Sequence, residues 1–330
     1  MTVTDYHTAG EPFRIVTGGA PEIPGTTVLE RREAARSTPG IDAVRELLVR
    51  EPRGHSAMYG CFLVPPQTEG SLFGVLFWHR EGYSTACGHG TIALGAWAVR
   101  TGRVEAAADG VTEVPMDVPS GRVTAAVTCE GGGVRTVAFR NVDTTVLGRG
   151  VEVSTKSGPV TVDLAYSGAI YACVPASAFG LAVVPEHQAD LVAAGREVKA
   201  ALSGTEWARY SADRRLGGVY GVILYDDLGD TATGPHQRNV TVFADGQVDR
   251  SPCGSGTSAR LALLAAEGRL REGDVLTHGS IIGTTFTGRI LSTGADGSVA
   301  TEIEGTAHLT GESVFTLDPA DELGTGFTLR

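Results

Sequence analysis

The chain has 330 residues, 42 % of them hydrophobic, with a formal net charge of −11 and a pI near 5.2. That length supports one large core or two ordinary ones, and the acidic balance argues against nucleic acid or an anionic membrane as partner. There is no basic-then-apolar N-terminal segment and no apolar run of about 18 residues, so neither secretion nor membrane spanning is expected. Five scattered cysteines (Cys61, Cys87, Cys129, Cys173 and Cys253) do not make a disulfide framework, which points to a reducing cytoplasm.

The Gly count of 45 and many short Val/Thr-rich runs predict numerous strands joined by tight turns. Residues 1–19 read as a turn followed by an edge strand; its polar cluster His7, Thr8 and Glu11 either faces a cleft or closes a hydrogen-bonded turn. Residues 40–49 place Ile41, Val44, Leu47 and Leu48 on one helical face. The loop Glu51-Pro52-Arg53-Gly54-His55 follows; either His55 and Arg53 contact substrate or, the favoured reading, Pro52 and Gly54 simply fix the loop. Strands at 58–65 and 71–79 lead to Tyr83-Ser84-Thr85-Ala86-Cys87-Gly88-His89-Gly90-Thr91 and an apolar run ending at Gly102-Arg103. A meander is expected next, at 113–118, 122–129 and 134–139, and the pattern restarts around 141–151 with strands at 160–164 and 169–174. Cys61, Cys129 and Cys173 fall mid-strand, where a buried, inert thiol is the ordinary reading. Residues 185–202 form the longest amphipathic stretch, a surface helix. A buried strand at 218–225, a polar loop at 226–237 and a strand at 239–244 then reach a second signature, and residues 275–330 alternate strand and turn.

The two signatures are copies of one pattern. Cys87-Gly88-His89-Gly90-Thr91 returns as Cys253-Gly254-Ser255-Gly256-Thr257, and the Gly-Arg pair that ends the first apolar run returns as Gly268-Arg269, all displaced by 166 residues. Between cysteine and closing glycine each run is apolar on nearly every side, as in a buried helix. Each cysteine therefore stands at a helix N-terminus, where unpaired N–H groups and the aligned peptide dipoles favour a thiolate and can also bind a carboxylate. Equivalent cysteines in two half-domains suggest one cleft with a sulfur on each side, suited to taking a proton from one face of a carbon and returning one to the other. Asp249, four residues before Cys253, either reaches a substrate ammonium or caps its loop beside Arg250.

Other chemistries account for less. Both signatures fit a loose G-x-G-x-x-A dinucleotide fingerprint, but residues 80–86 separate the first from its strand and the surroundings are a meander rather than βαβ. Zinc is disfavoured because Ser255 replaces His89 in the second copy and no C-x-x-C occurs. A Cys–His hydrolase uses one nucleophile and leaves the duplication unexplained.

These signatures, together with Asp5-Tyr6-His7-Thr8-Ala9-Gly10-Glu11-Pro12 and Glu51-Pro52-Arg53-Gly54-His55, resemble the proline racemase superfamily across essentially the whole chain. The resemblance implies an α+β, diaminopimelate-epimerase-like fold: two pseudo-symmetric domains, each with a mostly antiparallel sheet wrapped around a central helix, and the active site in the cleft between them. It also implies a homodimer that needs no cofactor and no metal, with Cys87 and Cys253 as the acid/base pair. Gly88, His89, Gly254 and Ser255 would hold the substrate carboxylate, and Asp249 with His89 the ring nitrogen. The half-domains are expected at 1–145 plus about 306–330, and at 146–305.

Within the superfamily, residues 81–87, 219–224 and 243–252 look most like the trans-3-hydroxy-L-proline dehydratases. Those enzymes usually carry threonine where Cys253 stands, and the strand at 219–225 lacks a histidine associated with the 4-hydroxyproline epimerases. The expected function is therefore inversion at Cα of proline or a hydroxyproline, with dehydration of trans-3-hydroxy-L-proline to a cyclic imine as the alternative. A ligand-binding protein that keeps the cleft but no activity is a third possibility.

Overall fold

A computed structural model of the chain describes residues 1–210 and 212–329. The chain divides into two compact units, one built from residues 1–137 with the C-terminal segment from Thr306, the other from residues 138–305.

In the first unit β1 (Thr2–Thr8) and β2 (Glu11–Gly18) form a hairpin. Its two-residue loop, Ala9 and Gly10, has positive φ at both positions, 49° and 95°, the mirror-image turn that matches strand twist. The turn and edge strand expected over 1–19 are thus a complete hairpin, and β2 is interior because it also pairs in parallel with β3 (Tyr59–Val64). Helices α1 (Val28–Ser37) and α2 (Pro39–Val49) span that crossover. The apolar pattern gave no sign of α1, because it buries only Val28, Arg32 and Ala35. Its start is nevertheless written in the sequence as a capping box, Thr27 with Glu30. The unit continues with β4 (Phe73–His79), antiparallel to β3, then β5 (Gly82–Tyr83) and α3 (Gly88–Arg100). Next come β6 (Gly110–Val118), parallel to β4, β7 (Gly121–Glu130), antiparallel to β6, and β8 (Gly133–Arg140), whose residues from Ala138 on belong to the second unit.

The second unit repeats this scheme. After β9 (Thr145–Thr155) and β10 (Gly158–Tyr166), strand β11 (Ile170–Pro175) leads through α4 (Gln188–Leu202) to its parallel neighbour β12 (Val219–Thr231). Strand β13 (Gly234–Phe243) is antiparallel to β12, and β14 (Gln247–Asp249) precedes α5 (Gly254–Ala266). Then β15 (Leu276–Ser280) lies parallel to β13, followed by β16 (Thr285–Thr293) and β17 (Val299–Gly305). The polar loop expected at 226–237 is mostly strand, with Asp226 opposite Arg238 and Asp227 opposite Gln237; the end of β12 is polar because it projects into water, whereas Gln237 on β13 is buried and accepts from Arg260. Strand β18 (Ala307–Val314) pairs with β1 in the first unit.

In each unit a sheet with the same order of parallel and antiparallel pairings wraps one buried helix. Twelve of the 13 residues of α3 are buried, and 11 of the 13 in α5. Close packing explains the apolar composition: a Cβ added at Gly95 would stand 2.6 Å from the Cβ of Ala125 on β7. All five cysteines are buried, and none is joined in a disulfide. No helix among the described residues is long and apolar enough to cross a membrane.

Candidate active site

Each signature folds its cysteine over the first turn of the buried helix that follows. Cys87 is the N-cap of α3, and its Sγ accepts the Gly90 N–H at 3.2 Å. Thr91 closes the turn from the other side, with its N–H 3.1 Å and its hydroxyl 2.8 Å from the Cys87 carbonyl. In the second unit the Thr257 N–H lies 2.7 Å and its hydroxyl 2.8 Å from the Cys253 carbonyl. The second glycine of each copy is needed because a Cβ there would come within 2.9 Å of the cysteine sulfur, at Gly90 and at Gly256 alike.

Around Cys87, both ring nitrogens of His89 lie 3.5 Å from the sulfur. The imidazole is held edge-on by Tyr59, with centroids 4.9 Å apart, and by Phe13, at 5.8 Å. The Thr8 hydroxyl donates to the His89 carbonyl at 2.9 Å, so β1 anchors the helix start, and the Tyr59 and Ser84 hydroxyls meet at 2.6 Å. His7 serves its own turn by accepting the Gly10 N–H at 3.2 Å. Arg53 accepts Arg14 Nη1 on its carbonyl and donates to the carbonyls of Thr316 and Gly324, tying the C-terminal segment down.

Around Cys253 the setting differs. Its backbone has φ 63°, whereas Cys87 has φ −158°. The sulfur lies 3.9 Å from the Tyr171 hydroxyl. Burial, with the nearby Asp249 carboxylate second, pushes the Cys253 thiol well above the ordinary range, so it rests protonated. Asp249 accepts from the Ser251 N–H at 2.8 Å and from its hydroxyl at 2.7 Å, and Ser251 Oγ accepts the Cys253 N–H at 3.1 Å. The loop-capping role anticipated for Asp249 is therefore present. Gly88, His89, Gly254 and Ser255 are the first two residues of their respective helices, all buried, and the Ser255 hydroxyl is buried with no hydrogen-bond partner in the protein.

Sequence reasoning did not assign Tyr171, Ser251, Thr257 or His278. The threonine had a signal, since it recurs in both signatures. Tyr171 lies in an unremarkable buried strand and had none. Among the described residues no cluster of three or more His, Cys, Asp or Glu is arranged as a metal site.

The chain is similar over its whole length to several enzymes. A trans-3-hydroxy-L-proline dehydratase from Bacillus cereus is 42 % identical, over 99 % of this chain and 98 % of its own length. A 3-hydroxyproline 2-epimerase from Burkholderia multivorans is 40 % identical, over 100 % and 98 %. Among solved structures, a hydroxyproline epimerase from Agrobacterium vitis with bound trans-4-hydroxy-L-proline superposes with a TM-score of 0.91 at 31 % identity, covering 100 % of this chain and 95 % of that one. The fold is the expected α+β arrangement of the diaminopimelate-epimerase type. The proline racemase family model matches residues 3–328, and on that match and these identities the chain is an enzyme of the proline racemase family.

Proposed function

We propose that the chain inverts Cα of proline or a hydroxyproline without a cofactor, with Cys87 and Cys253 acting on the same carbon. One observation carries this reading: two cysteines at the starts of two buried helices are seated alike, each sulfur against the glycine three residues on and each carbonyl bonded by the threonine four residues on. Cys87 Sγ accepts the Gly90 N–H, the Gly256 backbone meets Cys253 Sγ in the same way, and burial first, then the Asp249 carboxylate, hold the Cys253 thiol protonated.

In the forward direction the Cys87 thiolate takes the Cα proton and becomes a thiol. The electron pair of the broken C–H bond spreads onto the substrate carboxylate. The Cys253 thiol then gives its proton to the opposite face and is left as thiolate. The return direction exchanges the two roles. The N–H groups that open α3 and α5, at Gly88, His89, Gly254 and Ser255, together with the unpartnered Ser255 hydroxyl, would meet the growing charge. One such donor contributes about 3 kcal/mol in a transition state. Asp249 and His89 would hold the ring nitrogen.

Dehydration of trans-3-hydroxy-L-proline is the second reading, favoured by the name of the Bacillus cereus relative. Cys87 would again take the Cα proton, but the electron pair would form the Cα–Cβ double bond as the C–O bond breaks, the 3-hydroxyl leaving as water with the proton that Cys87 took up, giving an enamine that tautomerises to the cyclic imine. Cys253 favours inversion, because dehydration needs no proton returned to the far face. Incubation of both enantiomers of proline and of the 3- and 4-hydroxyprolines in deuterium oxide tests the proposal. Inversion gives the opposite configuration labelled at Cα, and dehydration gives the imine. A chain that does neither with any of these substrates overturns both readings.

A further inference from the structure

The two signature cysteines have nearly the same ψ, 105° at Cys87 and 103° at Cys253, but opposite φ. Cys87 is extended. Cys253, at φ 63°, occupies a region disfavoured for any residue with a Cβ, and such a conformation persists only where neighbouring bonds enforce it.

Those bonds reach Cys253 from both sides. On the N-terminal side its N–H is held by Ser251 Oγ, itself fixed by Asp249. On the C-terminal side its carbonyl accepts two bonds from Thr257, as the Cys87 carbonyl does from Thr91. The second unit adds a further link: the Thr257 hydroxyl also lies 2.8 Å from Nδ1 of His278, a wholly buried side chain on β15. A hydroxyl has one proton, and that of Thr257 is directed at the Cys253 carbonyl at 2.8 Å, with the Pro252 carbonyl at 3.2 Å. Nδ1 of His278 must therefore be the donor and Nε2 the bare nitrogen.

The surroundings favour that tautomer. Arg260, fully buried on α5, donates Nε–H to Gln237 Oε1 at 3.1 Å and lies 4.0 Å over the Tyr225 ring. Gln237 is the register partner of His278 across β13 and β15. Burial first, then the charges of Arg260 and His236, oppose a second proton on the imidazole and lower its pKa to about 3. The ring therefore stays neutral, with its one N–H on Thr257.

We infer that His278 is a positioning residue for Cys253: through Nδ1–H it fixes the Thr257 hydroxyl on the Cys253 carbonyl and so holds the second thiol at its working angle. This rests on the proposed role of Cys253 as a proton donor and acceptor, and its test includes a readout independent of turnover.

His278→Leu removes the donor, whereas His278→Asn keeps an N–H in the Nδ1 position. The leucine variant is expected to lose about 10²-fold in kcat for inversion with KM little changed, the scale of a misplaced reacting group, and the asparagine variant to recover most of it. Exchange of the Cα hydrogen by Cys87, measured in the enantiomer that Cys87 deprotonates, should stay near the wild-type rate. In NMR of protein with cysteine isotopically labelled at Cβ, the Cys253 signal, assigned by its loss in Cys253→Ser, should move in the leucine variant and return in the asparagine variant while the Cys87 signal stays. Should His278→Leu fail to fold, Thr257→Val against Thr257→Ser makes the same comparison. A Cys253 signal that does not move, or an equal loss on both substrate faces, overturns the inference. If the signal moves as expected but the wild-type protein inverts no substrate, the positioning stands and the two-thiol reading falls.

Discussion

The sulfur of Cys87 rests on the backbone of Gly90: the Gly90 N–H donates to it at 3.2 Å, and a methyl group added to that glycine would stand 2.9 Å from the sulfur and 2.4 Å from the Phe13 ring. Gly256 is related to Cys253 in the same way, with the sulfur at 2.9 Å and Ile223 at 3.0 Å. Gly90→Ala and Gly256→Ala should each destabilise the fold by about 1–3 kcal/mol through overpacking. Each should also cut inversion by at least about tenfold, since the displaced sulfur no longer meets Cα. Urea unfolding and initial inversion rates check both; an alanine variant with wild-type rate would show that the sulfur does not need this seat.

Substituting the thiols separates the two proposed reactions. Cys253→Ser should abolish inversion and leave any dehydration of trans-3-hydroxy-L-proline in place. Cys87→Ser should abolish both. A positioned acid or base commonly contributes about 10²–10⁴-fold, so each loss should be of at least that size. The observation to look for is imine formation by Cys253→Ser under conditions where it racemises nothing. Full racemase activity in that variant would end the two-base assignment.

The duplication was legible in the sequence because it is local: cysteine, two glycines and threonine recur at fixed spacing, and each run between cysteine and glycine is apolar all round. Those features are the direct imprint of a helix cap against a sulfur and of a helix buried on every side. Helix α1 was missed because it buries little, and the β12–β13 hairpin because polar side chains on the exposed end of β12, and the buried polar Gln237 on β13, read as loop. The distinct setting of Cys253 was illegible for another reason. It arises from the φ of Cys253 and from Tyr171, Asp249, Ser251 and His278, which gather on one helix start from three strands and a loop. Nothing in the spacing of those residues announces the meeting.

The backbone of Cys253 gives a stability test that needs no substrate. At φ 63° a glycine is relieved of the strain a Cβ carries, so Cys253→Gly should be more stable than Cys253→Ala by about 1 kcal/mol. At Cys87, with φ −158°, the order should reverse, because glycine there only adds chain entropy to the unfolded state, at about 0.5–1 kcal/mol. Denaturant midpoints of the four variants settle the comparison. Alanine more stable than glycine at both positions would mean that Cys253 does not adopt this conformation in solution.

The buried ionisable groups set a pH window for stability. Burial, as the largest cause, raises the thiols of Cys61, Cys173 and Cys253, that of Cys173 to about 11 from an ordinary 9.0. Between those values the unfolded chain has released the Cys173 proton and the folded chain has not, so its contribution is whole below about pH 9 and is lost as pH rises toward 11. His278 works in the other direction. Its pKa falls from 6.5 to about 3, so below 6.5 the unfolded chain binds a proton that the folded chain refuses, and stability declines as pH drops toward 3. The unfolding midpoint should therefore be flat between about pH 6.5 and 9 and fall on both sides. Across that acid range a proton bound only by the unfolded chain lowers stability by about 1.4 kcal/mol for every tenfold rise in proton activity, so the acid limb should span several kcal/mol. His278→Asn, which cannot titrate there, should make the acid limb shallower and leave the alkaline one, and Cys173→Ala should lessen the loss between about pH 9 and 11, where Cys61 and Cys253 still act, and leave the acid limb. An acid limb unchanged in His278→Asn would mean that His278 is not the buried neutral donor to Thr257, and the restraint on Cys253 would have to come from the Asp249 and Ser251 side alone.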